Sequence, residues 1–131
     1  MPTIFSKIIA GEIPCYKVAE DDRCLAFLDI RPVVFGHTLV IPKVEINYIF
    51  DMDDDYLAHL HLFAKRVARV LGQEVPCLRI GVMVAGLEVP HAHIHLIPMQ
   101  TISDLSFSNP RPEIPQEHLQ QLSALLFDKL K

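Results

Sequence analysis

Three histidines, His91, His93 and His95, alternate with small or apolar residues in the segment 89–98. An alternation of period two is typical of a β-strand, in which residues i, i+2 and i+4 lie on one face. We therefore predict a strand that presents three imidazoles on one side and packs the intervening residues against a core: Ala92, Ile94 and Leu96. One face of this strand then carries the three histidines, whose side chain titrates nearest physiological pH.

The composition places this strand in a single domain, over residues 1–131. The hydrophobic fraction is 50% and the charged fraction 21%, which is enough for a core. The formal net charge of -4, without a basic run, argues against a protein that coats nucleic acid or membrane. No apolar run approaches the about 18 to 20 residues of a spanning helix, and the first residues lack a secretory signal pattern. Three cysteines without C-x-x-C spacing predict neither a disulfide framework nor a cysteine metal site, so we expect a reduced, cytoplasmic setting.

Periodicity and turn signals predict three helices and five strands. The helices cover residues 3–10, 53–72 and 115–130, with Thr3 as the N-cap of the first and Gly11 just past its end. The long middle helix has apolar residues at intervals of three and four. The strands cover residues 15–20, 24–30, 37–42 and 78–85 and the histidine segment. This order of elements predicts an α+β domain with an antiparallel meander.

The three histidines admit two kinds of chemistry. The first is a metal site, because catalytic zinc often takes three histidines. On a strand with a rise of ~3.3 Å per residue, however, the α-carbons of His91 and His95 lie ~13 Å apart, too far for all three imidazoles to reach one ion. A site made of two of them with His37 stays open. The second is covalent catalysis, in which a neutral imidazole attacks a phosphoryl centre and its neighbours orient it.

Gly86 lies just before the histidines, where it permits close approach of a ligand or a positive φ. Backbone N–H groups of the segment 85–88 are in the right place to hold the equatorial oxygens of a phosphoryl group. An ordinary tight turn before a strand explains Gly86 equally well when it is considered alone.

The segment 91–97 has the pattern H-φ-H-φ-H-φ-φ, where φ is hydrophobic, and it resembles the signature of the histidine triad (HIT) superfamily of nucleotide hydrolases and transferases. Three further blocks, at residues 4–14, 20–30 and 36–43, are similar to the HINT-like branch of that superfamily. The resemblance covers about residues 3–100 and leaves 101–131 as a C-terminal extension. It implies a HIT-like fold, with a five-stranded antiparallel sheet, one long helix and a C-terminal helix. It also implies a ten-stranded sheet across a homodimer and a purine nucleotide site in each subunit.

The resemblance gives the histidines unequal roles. The middle histidine of the motif, His93, corresponds to the nucleophile that takes the nucleotidyl group as a phosphoramidate. The third, His95, is expected to hydrogen-bond the α-phosphate or the leaving-group oxygen. His91 and His37 match supporting histidines that hold the ring orientations.

Nucleotide-binding positions follow from the same resemblance. Asp29 matches the acidic residue that accepts hydrogen bonds from the ribose hydroxyls, and Ile30 follows it. The apolar residues that match the walls around the base are Ile4, Phe5, Ile8, Phe27 and Leu39. Without the resemblance, these apolar residues are interpreted as ordinary core. The phosphate loop is expected at Gly86, Leu87 and Glu88.

The sequence departs from the family pattern at two places. Many bacterial relatives build a structural zinc site, but Thr3, Ser6 and Glu45 occupy three of its four ligand positions here, so we predict no metal and no other cofactor. The phosphate loop commonly reads Ala-Gly-Gln-x-Val, whereas here Leu87 has no donor and Glu88 adds negative charge. We therefore expect the catalytic rate and the preferred substrate to differ from those of the family, whereas the nucleophile stays the same.

The function predicted from these residues is hydrolysis of purine nucleotide phosphoramidates, or of related nucleotide P–N or P–O bonds, through a nucleotidyl-histidine intermediate. The alternatives are a dinucleoside polyphosphate hydrolase and a nucleotide-binding or interaction module with little turnover. The expected partners are the nucleotide and a second copy of the chain, with no nucleic acid and no membrane. The sequence leaves open whether residues 100–115 line the site. His59 and His61 are expected at the surface or at a dimer contact, and His118 lies near the start of the terminal helix; none of the three is expected to have a chemical role.

Overall fold

A capping box starts the first helix of the chain. In the computed structural model, which describes residues 2–131, helix α1 spans Ile4–Ile9. The Thr3 hydroxyl accepts from the Ser6 amide at 3.1 Å, and the Thr3 amide donates to the Ser6 hydroxyl at 2.6 Å. Gly11 follows the helix at a φ of 81°, a conformation that glycine adopts without strain. The predicted N-cap and the predicted stop are both confirmed.

Five antiparallel strands form one sheet: β1 (Tyr16–Glu20), β2 (Cys24–Leu28), β3 (Thr38–Pro42), β4 (Arg79–Met83) and β5 (Ile94–Met99). Their spatial order is β1-β2-β3-β5-β4. The predicted antiparallel five-stranded sheet is confirmed, but a simple meander is wrong beyond β3, because β5 lies between β3 and β4. The long helix between β3 and β4 makes that connection long enough for β4 to reach the outer edge.

The histidine segment is only partly a strand. β5 begins at Ile94, so His95 lies in the strand whereas His91 and His93 precede it. Val40 of β3 pairs with Ile94, and continuing this register would put Pro42, which has no N–H to donate, opposite Ala92. The Ala92 amide donates instead to the Ile46 carbonyl at 2.7 Å. The prediction of a strand through all three histidines is therefore wrong for His91 and His93 and confirmed for His95.

Two helices cover one face of the sheet, and α1 lies on the other. Helix α2 (Asp54–Glu74) begins after Asp53, whose side chain accepts from the Tyr56 amide at 2.9 Å, and α3 (Gln116–Leu130) closes the chain. Their apolar sides join the larger core with alternate residues of the strands. The residues of β2 and β3 that point the other way form a smaller cluster with Phe5 of α1: Leu25, Phe27, Leu39 and Ile41. No helix within residues 2–131 is long and apolar enough to cross a membrane.

Candidate active site

A cavity of about 470 Å³ opens on the α1 face of the sheet, within the usual size range of small-molecule sites. The predicted residues that line it are Ile4, Phe5, Ile8, Phe27, Asp29, Ile30, His37, Leu39, Glu88, His93 and His95. Three other predicted residues, Gly86, Leu87 and His91, do not line it in the described chain. The structure therefore brings most of the predicted site residues together around one cavity.

Apolar side chains from three elements form one end of the cavity. The Phe5 and Phe27 rings meet edge to face, with centroids 5.8 Å apart, and both are buried. Leu39 belongs to the same buried cluster, whereas Ile4 is 49% exposed at the rim. This end is shaped for a flat apolar group, and Phe5 also contacts the His93 ring, with centroids 5.1 Å apart.

Hydrogen bonds fix where the protons of His37 and His95 lie. The Val33 amide donates to Nδ1 of His37 at 3.1 Å, so the neutral His37 ring carries its proton on Nε2. That Nε2–H lies 2.9 Å from Nδ1 of His95, which must accept. The neutral His95 ring therefore carries its own proton on Nε2 and offers a donor.

The proton of His93 is fixed in the opposite sense. Its Nδ1 lies 2.7 Å from the His91 carbonyl, which can only accept, so the proton is on Nδ1 and the lone pair is on Nε2. His91 itself lies beneath this contact, fully buried, with its Nε2 donating to the Pro42 carbonyl at 2.8 Å. The His93 and His95 rings meet at 4.8 Å between centroids. A nucleophilic lone pair and a donor N–H thus occur on adjacent rings of one cavity.

Burial keeps these rings neutral at pH 7. Burial, with smaller contributions from the nearby Arg111 and His93, lowers the pKa of His37 to about 4. Burial also lowers the pKa of His95 to about 3. The pKa of His93 is lowered from 6.5 by burial, which outweighs the raising effect of its bond to the His91 carbonyl. All three rings are therefore available as neutral donors or nucleophiles, not as cations.

Asp29 presents one carboxylate oxygen beside the histidines. It directly follows β2, and its Oδ1 accepts from the Arg31 amide at 2.9 Å. Its Oδ2 lies 3.7 Å from Nε2 of His37, beyond hydrogen-bond distance. Because the side chain is only 20% exposed and lines the cavity, this oxygen is placed to accept from a bound hydroxyl.

The loop before the histidines gives the cavity a carboxylate. Gly86 has a φ of 78°, as its residue type allows, and Leu87 projects outward with 94% of its surface exposed. Glu88 lines the cavity. Neither Leu87 nor Glu88 supplies a side-chain donor for an anion.

Two residues of the C-terminal extension also line the cavity: Phe107 and Arg111. Sequence reasoning did not assign either of them to the site. The Phe107 ring lies 4.7 Å from the His95 ring, and the Arg111 guanidinium lies 5.5 Å from the centre of the Phe107 ring. Two residues of the segment 100–115 thus line the site, and the segment also leads to α3. The segment has no periodic pattern, and only its aromatic and basic residues offered a signal.

A separate group of metal-ligating side chains lies on the α2 side of the sheet. Within residues 2–131, donor atoms of Asp21, Cys24 and His59 lie within 4.8 Å of one another. Oδ1 of Asp21 accepts from the Arg23 and Cys24 amides at 2.9 and 2.7 Å, and Oδ2 lies 2.8 Å from Nε2 of His59. The carboxylate is thus engaged as the cap of the β1–β2 turn. The prediction that the protein holds no metal stays a prediction.

The sheet, the cavity and the histidine arrangement together define a histidine triad protein, and comparisons give the family. The HIT domain model matches residues 10–102. The chain is 35% identical over 133 residues to adenosine 5'-monophosphoramidase hnt1 of Schizosaccharomyces pombe, with 100% of both chains covered. It is 42% identical over 102 residues to an uncharacterized HIT-like protein of Borreliella burgdorferi, covering 72% of this chain and 73% of that one. A HIT-like protein involved in cell-cycle regulation from Bartonella henselae has a crystal structure with a TM-score of 0.82, at 31% identity over 98% of this chain and 96% of that chain. The chain belongs to the HIT family, as its motifs predicted, and is an enzyme of that family.

Proposed function

We propose that this HIT-family enzyme hydrolyses purine nucleoside phosphoramidates through a covalent nucleotidyl group on His93. One observation carries the proposal. The hydrogen bonds at His93 and His95 leave a free lone pair on one ring and a donor N–H on the next, both in the same cavity. The full-length relative from Schizosaccharomyces pombe, an adenosine 5'-monophosphoramidase, supports the choice of the P–N bond.

The proposed reaction has two steps. The Nε2 lone pair of His93 attacks the α-phosphorus, a P–N bond to His93 forms, and the P–N bond to the substrate amine breaks, with the amine taking up a proton from water. Water then attacks the nucleotidyl group and releases the nucleoside monophosphate and free His93. The Nε2–H of His95, set by the bond from His37 to its Nδ1, hydrogen-bonds the phosphoryl or leaving-group atoms.

The other residues predicted for the site are assigned to binding the nucleotide or to holding the histidine rings. The open Oδ2 of Asp29 accepts from the ribose hydroxyls, and Ile30 continues that edge of the cavity. His37 and His91 hold the neighbouring rings. The backbone N–H groups of the loop Gly86, Leu87 and Glu88, of which only Glu88 lines the cavity, are assigned to the phosphate. The apolar walls that take the purine are Ile4, Phe5, Ile8, Phe27 and Leu39.

Turnover of two substrates tests this function. The wild-type protein is given adenosine 5'-phosphoramidate and diadenosine polyphosphates in parallel, and AMP formation is followed with both. The His93→Ala variant is compared with His61→Ala, which removes an exposed imidazole of α2. We expect the first substrate to be hydrolysed faster, full activity in His61→Ala and loss of activity in His93→Ala.

Other outcomes assign the site differently. Faster hydrolysis of the diadenosine polyphosphates favours a dinucleoside polyphosphate hydrolase. Nucleotide binding without turnover, equal in His93→Ala and wild type, favours a binding module. Undiminished turnover in a folded His93→Ala variant rejects His93 as the nucleophile.

A further inference from the structure

Around the position expected for the phosphate, the histidines and the loop side chains of the cavity carry no positive charge. A nucleotide phosphate is an anion and requires cations or N–H donors around it. The side chains of Asp29 and Glu88 add negative charge to the lining, and Leu87 points to solvent. The buried histidine rings are neutral at pH 7 and contribute single hydrogen bonds only. The histidine rings and the loop N–H groups thus offer hydrogen bonds to the phosphate but no net positive charge, which the arginines of the cavity lining can supply.

Two arginines line the cavity, and they differ in how they are held. Arg31 is exposed, whereas Arg111 is half-buried. The Arg111 guanidinium donates through Nη1 to the Arg31 carbonyl and lies over the Phe107 ring. A guanidinium fixed by a hydrogen bond and an aromatic face loses little freedom when it binds an anion.

Phe107 links this arginine to the catalytic histidines. Its ring contacts His95 at 4.7 Å and lies nearly parallel to the His37 ring, with an interplanar angle of 6° at 6.1 Å. The turn that carries Phe107 is closed by the Asn109 side chain, which donates to the Ser103 carbonyl at 2.7 Å. The extension therefore brings a cation close to His95 and His37 through the Phe107 ring.

We infer that Arg111, positioned by Phe107, binds the phosphoryl group of the nucleotide and makes the site select nucleotides over nucleosides. The inference rests on the proposed function, since it assigns a ligand to the same cavity. Both residues lie beyond residue 102, where the match to the HIT domain ends, so they belong to the extension of this chain. The Arg111 guanidinium supplies the charge and the donors that the side chains of the loop at 86–88 lack.

Equilibrium binding of AMP and of adenosine tests the inference without any turnover. The two ligands differ only in the phosphate, so the ratio of their dissociation constants isolates the phosphate contacts. The variants are Arg111→Gln, Arg111→Lys and Phe107→Ala, measured by calorimetry or by NMR titration. Arg69→Gln is the matched control, because it removes one positive charge from the exposed side of α2, away from the cavity.

We expect Arg111→Gln to weaken AMP binding about tenfold or more and to leave adenosine binding unchanged, as for loss of a hydrogen bond to a charged group. Arg111→Lys should recover part of the loss, and Phe107→Ala should show a smaller loss of the same kind. Arg69→Gln should match the wild type. If Arg111→Gln weakens the binding of AMP and of adenosine by nearly the same factor, Arg111 contacts the nucleoside and not the phosphate. That result would overturn the inference.

Two further results also overturn it. One is AMP affinity in Arg111→Gln equal to that of the wild type. The other is a wild-type protein that binds AMP no more tightly than adenosine. The proposed function fails separately: a protein with the expected Arg111 effect but no hydrolysis of adenosine 5'-phosphoramidate rejects the reaction and keeps the phosphate contact.

Discussion

Among single residues, His37 has the most influence on the protonation pattern of the site. Its Nδ1 accepts from the Val33 amide, which forces its proton toward His95. Replacement by phenylalanine keeps a ring of similar shape but removes both bonds, so His95 is free to carry its proton on the wrong nitrogen. We expect kcat for adenosine 5'-phosphoramidate to fall at least about tenfold with little change in KM, since positioned donors of this kind contribute ~10²–10⁴-fold.

The control for that variant separates chemistry from folding. His118→Phe changes an exposed histidine of α3 and should keep the wild-type kcat. The His37 variant also leaves the Val33 amide unpaired, so its free energy of unfolding is measured and kcat is compared where both proteins are folded. An unchanged kcat in folded His37→Phe would contradict the role of His37 in fixing the proton of His95 on Nε2.

The pH dependence of the reaction follows from His93. Its lone pair is available only in the neutral form, and burial lowers its pKa from 6.5. We expect the acid limb of kcat/KM to have its midpoint below 6.5, because the rate falls as the pH drops through the lowered pKa of His93. Steady-state rates across acidic and neutral pH measure this, and a midpoint of the acid limb above 6.5 would be incompatible with a neutral, buried nucleophile.

The motif residues and the terminal helix were accessible to sequence reasoning, whereas the course of the segment 100–115 was not. His93, His95, His37 and Asp29 meet at one cavity, as their motif positions predicted. Phe107 joins them through a non-local approach across the site, and neither its spacing nor its neighbours encode that contact. A local pattern predicts a local element, but the place where an irregular segment returns to the sheet depends on tertiary packing.

At the scale of elements, the histidine segment shows why period-two alternation was an incomplete guide. Alternation describes side chains on an extended backbone, and a strand also needs a neighbour with free backbone groups. Pro42 of β3 has no N–H, so the ladder stops and β5 begins only at Ile94. The extended backbone before it leaves the His91 carbonyl free to accept from His93, the bond that exposes the nucleophilic lone pair.

The turn between β1 and β2 is held by one side chain. Asp21 accepts from the Arg23 and Cys24 amides and pairs with His59 of α2. We expect Asp21→Ala to lower the free energy of unfolding by about 1–3 kcal/mol, because the amides lose a charged acceptor. Denaturant titration measures it, with Asp22→Ala at the exposed neighbouring position as the control. Equal stability of the two variants would show that the cap contributes nothing.

At the scale of the whole molecule, the sheet ends in two edge strands, β1 and β4. β1 contacts α3, whereas β4 exposes the apolar side chain of Val82, which is 58% accessible. We propose that two copies join at β4 into a ten-stranded sheet, since an apolar free edge is a template for pairing. Val82→Lys places like charges at this join and should shift the protein toward monomer in analytical ultracentrifugation.

The matched variant for that experiment is Val82→Thr, which keeps a β-branched side chain and should stay dimeric. A wild-type protein that sediments as a monomer at every concentration would reject the pairing. A dimer that persists unchanged in Val82→Lys would place the interface elsewhere.

The central claim is the covalent nucleotidyl group on His93, and rapid-quench mass spectrometry tests it most directly. Enzyme and adenosine 5'-phosphoramidate are mixed at similar concentrations, and the reaction is quenched with base, which preserves the P–N bond. The quenched protein is then digested, and its peptides are analysed by mass. We predict one added adenylyl group on His93 that forms before AMP and decays as AMP appears. An adenylyl group on another residue, or AMP released with no adduct at any time, would contradict the account.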